Sequence, residues 1–188
     1  MNKLKIINYL GKNLHQLFTM NALSKATKVP YATFYRTIQE MKDLVKIQTI
    51  GKSKIISLNI DNASIKSYLA ISSEEEKKEF LKKHPIISKI ASELNTKDTL
   101  VLFGSYAKGN QRESSDIDLL IINKKGDKTI SFSKYELLFK KKINPIFVTH
   151  EEFIGMIKDK TENVGKQALK GHIILQNPES FWEDVLHD

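Results

Sequence analysis

The chain contains no cysteine, which excludes disulfide scaffolds, thiolate zinc sites and cysteine nucleophiles together. Proline and glycine are sparse, at 4 and 8 of 188 residues, so flexible low-complexity linkers and collagen-like repeats are excluded as well. Long apolar runs are missing: a stretch such as Leu119-Leu120-Ile121-Ile122 falls far short of the roughly 18 residues that cross a bilayer. The N-terminus, with Lys3, Lys5 and Asn8 interrupting its apolar residues, lacks the continuous apolar segment of a secretory signal. The expectation is a cytoplasmic chain with no membrane partner. What is present, 40% hydrophobic and 28% charged residues, suits a folded protein large enough to build a core.

Charge is unevenly placed. Residues 1–60 hold nine lysines and Arg36 against only Glu40 and Asp43, whereas residues 61–188 carry 20 basic and 20 acidic residues. The whole net charge of +8 therefore belongs to the first third, which points to a polyanionic partner there and to different work in the rest.

Hydrophobic spacing divides the basic part further. Leu4, Ile7, Leu10 and Leu14 recur at helical intervals. Thr19 or Asn21 is placed to cap a short second helix through Ala22, Leu23 and Ala26, closed by Val29 and Pro30. A third helix is expected from Tyr31 to about Leu44, with Phe34, Ile38, Met41 and Leu44 inward and Thr33, Arg36, Thr37 and Lys42 outward. Two β-rich runs, Val45–Ile50 and Ile55–Ile60, flank the turn Gly51-Lys52-Ser53-Lys54 and read as a hairpin. This order over residues 20–60 resembles the winged helix-turn-helix family. The resemblance implies DNA binding, with Tyr31, Thr33, Tyr35 and Arg36 on the third helix and Lys52 and Lys54 on the wing as contact residues. Residues 61–95 read as a helical connector, with a helix start at Ser72 or Ser73 ahead of Glu74, Glu75 and Glu76.

The chemistry concentrates in residues 100–122. An apolar strand runs into Gly104-Ser105, a short helical turn ends at Gly109, and after a loop Asp116 and Asp118 open a second strand. Glycine allows close backbone approach to a phosphate, and Ser105 adds a hydroxyl to the free amides of the turn. Two carboxylates two residues apart on a strand leave the same face and repel each other unless a cation lies between them. Oxygen ligands of this kind suit Mg²⁺ or Mn²⁺. The stretches Gly104-Ser105-Tyr106-Ala107-Lys108-Gly109 and Ser115-Asp116-Ile117-Asp118-Leu119 together resemble the signature of the DNA polymerase β-like nucleotidyltransferase superfamily in its minimal form.

That resemblance implies an α+β fold: a small mixed-sheet nucleotidyltransferase domain over 96–188, after a winged helix-turn-helix over 1–60 and the connector over 61–95. It implies Mg²⁺-dependent transfer of a nucleoside monophosphate from a nucleoside triphosphate such as ATP to an acceptor, which in minimal relatives is a protein, including a toxin partner, or a small molecule. Gly104, Ser105 and Arg112 would hold the nucleotide, and Asp116 and Asp118 would be the catalytic metal ligands. The pattern departs at one place. Members usually carry a third carboxylate on a neighbouring strand, and the expected strand, Lys142–Thr149, has Asn144 there, whose amide takes no proton at neutral pH. An alternative therefore stands beside the enzyme: a DNA-binding regulator whose second domain binds nucleotide with little turnover. Pro145 in the same strand points to a sheet edge or a bulge. The five histidines, His15, His84, His150, His172 and His187, show no zinc-ligand spacing.

Overall fold

The computed structural model describes residues 2–14 and 16–187, so His15 lies outside it. The chain forms two compact units, residues 1–72 and 73–188.

In the first unit, helices α1 (Asn2–Gly11), α2 (Met20–Thr27) and α3 (Tyr31–Glu40) enclose a core with a three-stranded antiparallel sheet of β1 (Phe18–Thr19), β2 (Val45–Ile50) and β3 (Ser53–Leu58). Ile6, Ile7, Leu10, Leu23, Phe34, Ile38 and Ile56 are fully or almost fully buried. Thr19 caps α2, its hydroxyl accepting from the Ala22 amide at 3.1 Å. The two residues of β1 pair with Ile55 and Ile56 at the sheet edge and are too few for any periodicity to show.

The third helix is shorter than its spacing predicts. It stops at Glu40, and Lys42–Leu44 tighten into a 3₁₀ turn that keeps Leu44 buried while turning the chain into β2. The Asp43 carbonyl there accepts from Asn59 at 3.0 Å and Asn62 at 2.9 Å, long-range bonds that local helical spacing does not reveal. Thr37, expected outward, is buried, its hydroxyl donating to the Thr33 carbonyl at 2.9 Å. The hairpin turn is also narrower than expected: Ile50 pairs with Ser53, leaving Gly51 at φ +60° in the first central position, where a two-residue turn of this hand favours glycine.

Helix α4 (Ile65–Leu81) contributes its first half to one unit and its second half to the other. It runs unbroken through Ser72 and Ser73, so no helix starts there. Both hydroxyls are used for other purposes: Ser72 donates to the Leu69 carbonyl at 2.8 Å, and Ser73 accepts the Trp182 indole N–H at 2.9 Å.

The second unit is a mixed sheet between helices. After α5 (Pro85–Glu93) come β4 (Thr99–Phe103), the short α6 (Gly104–Lys108), β5 (Ile117–Ile122), α7 (Ser133–Phe139), β6 (Ile143–Val148), α8 (His150–Lys158), α9 (Val164–Lys170), β7 (Ile173–Gln176) and α10 (Pro178–Val185). The strand order is β6-β5-β4-β7, with β5 and β6 parallel and the other neighbours antiparallel. One face, with Leu100, Leu102, Ile117, Leu119 and Ile121, packs with Ile87, Ile90, Phe132 and Tyr135; α9 and α10 pack near β4. Coverage on both faces explains why β4 and β5 read as nearly continuous apolar runs rather than alternating ones. Phe181 and Trp182 are fully buried. Among the described residues, no helix is long and apolar enough to cross a membrane.

Pro145 sits on an edge strand, and the first half of that edge is closed to further pairing. The bonds Ile117 N–H to Lys142 O and Asn123 N–H to Val148 O turn the even-numbered residues of β6 toward β5. The odd-numbered amides point outward: that of Ile143 donates to the Glu136 carboxylate at 2.9 Å, and Pro145 has none. Such blocking is how an exposed edge avoids recruiting another strand. Replacing Glu136 by Ala leaves the amide of the buried Ile143 without its partner, so the second unit should lose about 1–3 kcal/mol of stability. Leu137→Ala, at an 82% exposed position, should change it by less than about 0.5 kcal/mol. Trp182 is the only tryptophan, so urea unfolding followed by its fluorescence reads this unit directly.

Candidate functional site

Strand register builds the site. Phe103, the last residue of β4, lies opposite Asp118, so the turn leaving β4 passes over the Asp118 side chain. Gly104 turns there with φ +72°, and a Cβ at this position would come within 2.2 Å of Asp118 Oδ2. Any other residue would strain this left-handed backbone and push the Asp118 carboxylate aside. The following turn, α6, ends at Gly109 with φ +70°, whose amide returns to the Ser105 and Tyr106 carbonyls.

Asp116 precedes β5, and Asp118 is the second residue of that strand. Their even-numbered positions put both on the face opposite Ile117 and Leu119, which are buried in the core. The parallel register sets Asn144 directly beside Asp118. Its amide nitrogen lies 3.2 Å from Asp116 Oδ2 and 3.2 Å from Asp118 Oδ1, donating one N–H to each carboxylate. Lys142, two residues earlier and so on the same side, places its ammonium 3.7 Å from Asp116 Oδ2. Strand alternation could have flagged Lys142, since it stands to Asn144 as Asp116 stands to Asp118.

Three acids on the helices of this unit have partners of their own. Glu136 holds the Ile143 amide. Glu152 closes a capping box with Thr149, accepting from its amide at 2.7 Å while Thr149 Oγ1 accepts from Glu152 N–H at 3.0 Å. Asp184 pairs with His150 at 2.8 Å, burial holding its carboxyl above the usual range against the pull of the imidazole.

The donor set, two carboxylates and one amide that presents either oxygen or N–H, fits a hard divalent cation. It supplies no third carboxylate: among the described residues, no group of three or more His, Asp or Glu side chains gathers as a metal cluster. Gly104 is brought onto Asp118, and Ser105 follows it as the second residue of α6. Arg112 is exposed in the loop before Asp116, where its amide donates to Ser115 Oγ at 2.8 Å and its carbonyl accepts from the Ser115 amide at 3.0 Å; it lines a cleft beside Tyr106.

In the first unit, Tyr31 and Tyr35 are 51% and 41% exposed on one side of α3. Arg36 is exposed, Thr33 is half-buried, and Lys52 and Lys54 stand exposed at the β2–β3 turn.

Comparison with protein families agrees with this geometry. Residues 84–175 match the family model of the nucleotidyltransferase domain, a stretch that runs from the start of α5 into β7 and contains Gly104, Asp116, Asp118 and Asn144. No curated protein and no solved structure matches the chain.

The Gly104–Asp118 contact is testable against a neighbour. Gly109 shares the left-handed conformation but has nothing within 4 Å of its missing Cβ, so Gly109→Ala should cost only about 1 kcal/mol. Gly104→Ala should cost at least about 2 kcal/mol. In an Asp118→Ala background that excess should largely vanish, a coupling measurable by urea denaturation of the four proteins.

Proposed function

We propose that the second unit binds a nucleoside triphosphate, ATP foremost, with a divalent cation, Mg²⁺ or Mn²⁺, and transfers its nucleoside monophosphate to a hydroxyl of a protein or small-molecule acceptor. The observation that carries this reading is the passage of the Gly104-Ser105 turn across Asp118 with Asp116 alongside, inside the stretch that matches the nucleotidyltransferase family. Asp116 and Asp118 would hold the cation, joined by the Asn144 amide oxygen once that amide turns over. The cation, when bound, neutralises the paired carboxylates and the phosphate charge. Gly104 gives the phosphates access to the backbone, and Ser105 offers its hydroxyl and amide. In the transfer, the acceptor oxygen bonds to the α-phosphorus, the bond to the β-phosphate oxygen breaks, pyrophosphate leaves, and the acceptor proton passes to solvent, because Asn144 accepts none.

Asn144 and Lys142 favour a second reading on the same site. An amide donor and an ammonium already compensate the two aspartates, which suits a domain that binds nucleotide and turns it over little, reporting its presence to the rest of the chain. In both readings the first unit is a winged helix-turn-helix that binds DNA. Support comes from the positive charge confined to residues 1–60, the exposed Tyr31, Tyr35 and Arg36 on α3, and Lys52 and Lys54 at the hairpin tip. These place aromatic and cationic groups on a helix that a major groove accommodates.

Calorimetry should detect ATP affinity that appears with Mg²⁺ and disappears in chelator, and Asp116→Asn with Asp118→Asn should abolish it. Absence of any Mg²⁺-linked affinity overturns both readings. Label transfer from radiolabelled ATP separates them: the enzyme labels an acceptor, and Asn144→Asp, by restoring a carboxylate base, should raise the rate by about 10²-fold. Retained binding with no labelling, even in Asn144→Asp, selects the nucleotide-responsive regulator.

For DNA, Arg36→Ala with Lys52→Ala should weaken duplex binding and reduce the slope of log affinity against log salt by about 2, one ion released per lost phosphate contact. An unchanged slope removes α3 and the hairpin from the interface.

A further inference from the structure

A cleft of about 340 Å³ opens in the second unit beside the loop that leads to Asp116, lined among others by Lys83, His84, Tyr106, Gln111, Arg112 and Lys141. Its volume lies at the small end of the roughly 300–1,000 Å³ of small-molecule sites, room for one nucleotide. Two features of its wall suit one ligand class. The His84 ring lies on the cleft wall and stacks on Phe80 with centroids 3.9 Å apart and planes 14° from parallel. Lys83, Arg112 and Lys141 supply positive charge, against which the rim offers the single carboxylate of Glu113; Lys141 is held in place by donating to the Glu113 carbonyl.

We propose that this cleft is a second nucleotide site, binding a nucleoside monophosphate unit independently of divalent cation. The base stacks on His84, extending the Phe80–His84 pair, and the phosphate meets Lys141 and its neighbouring cations. Burial, with Lys83 alongside, holds the His84 imidazole below its ordinary range. Asp116, Asp118 and Gly104 do not line this cleft; Arg112, which the resemblance assigns to the triphosphate, is the residue the two sites would share.

The test is titration of the full chain with AMP in chelator, read by the ring-proton resonances of His84 and by calorimetry. AMP should shift those resonances. His84→Ala and Lys141→Ala should each weaken binding about tenfold, the value of one stacked base or one charge-assisted contact. AMP should bind more tightly than ribose 5-phosphate, which carries the phosphate without a base to stack. Asp116→Asn with Asp118→Asn should leave AMP binding intact, so loss of Mg²⁺-ATP affinity and loss of this site are separable results. Tighter binding of a short oligoadenylate than of AMP assigns the site to a strand end; equal or weaker binding assigns it to the free nucleotide. Unmoved His84 resonances, or unchanged affinity in both His84→Ala and Lys141→Ala, overturn the proposal.

Discussion

A missing side chain at residue 104 is what the second unit is organised around. The chain leaves β4 directly above Asp118, in a left-handed conformation, where a Cβ would run into the Asp118 carboxylate. That requirement ties three things together: the antiparallel register that puts Phe103 opposite Asp118, the tight α6 turn that carries Ser105, and the exposed end of a strand otherwise buried in the core. If any of these shifted by one residue, the aspartates would rotate to the other face of the sheet, because side chains alternate along a strand.

The paired carboxylates impose the second constraint. Asp116 and Asp118 lie on one face of a strand end, and the parallel neighbour answers them with an amide and an ammonium rather than with another acid. The neighbouring acids that could have served are engaged with backbone amides, Glu136 closing the sheet edge and Glu152 capping α8. The candidate site and the blocked edge both rest on the start of β6: Asn144, with Lys142 just before the strand, faces the aspartates, while Ile143 and Pro145 close the border.

The first unit follows simpler rules, and most of it is legible in residue order. Apolar spacing locates α1, α2 and the inward face of α3, and Thr19 caps α2 from the position its residue type suggests. The misjudged details share one cause. The early end of α3, the burial of Thr37 and the unbroken run of α4 through Ser72 and Ser73 each depend on partners distant in sequence or on the local use of a hydroxyl: Asn59 and Asn62 for the Asp43 carbonyl, the Thr33 carbonyl for Thr37, Trp182 for Ser73. Local spacing carries no information about a partner a hundred residues away.

Residue order alone determined that one stretch would place Gly104, Ser105, Asp116 and Asp118 in a strand–turn–strand arrangement, because alternation and glycine's conformational freedom are local properties. The placing of Asn144 on a neighbouring strand came from the resemblance to the nucleotidyltransferase superfamily, not from residue order. Only the tertiary structure decided which atoms Asn144 touches, that Lys142 joins it, that Glu136 and Glu152 are committed elsewhere, and that His84, Gln111 and Lys141 line one cleft. Each of these depends on strand register and helix packing between segments far apart in the chain, and such distances are set by the folded core as a whole, not by any window of sequence.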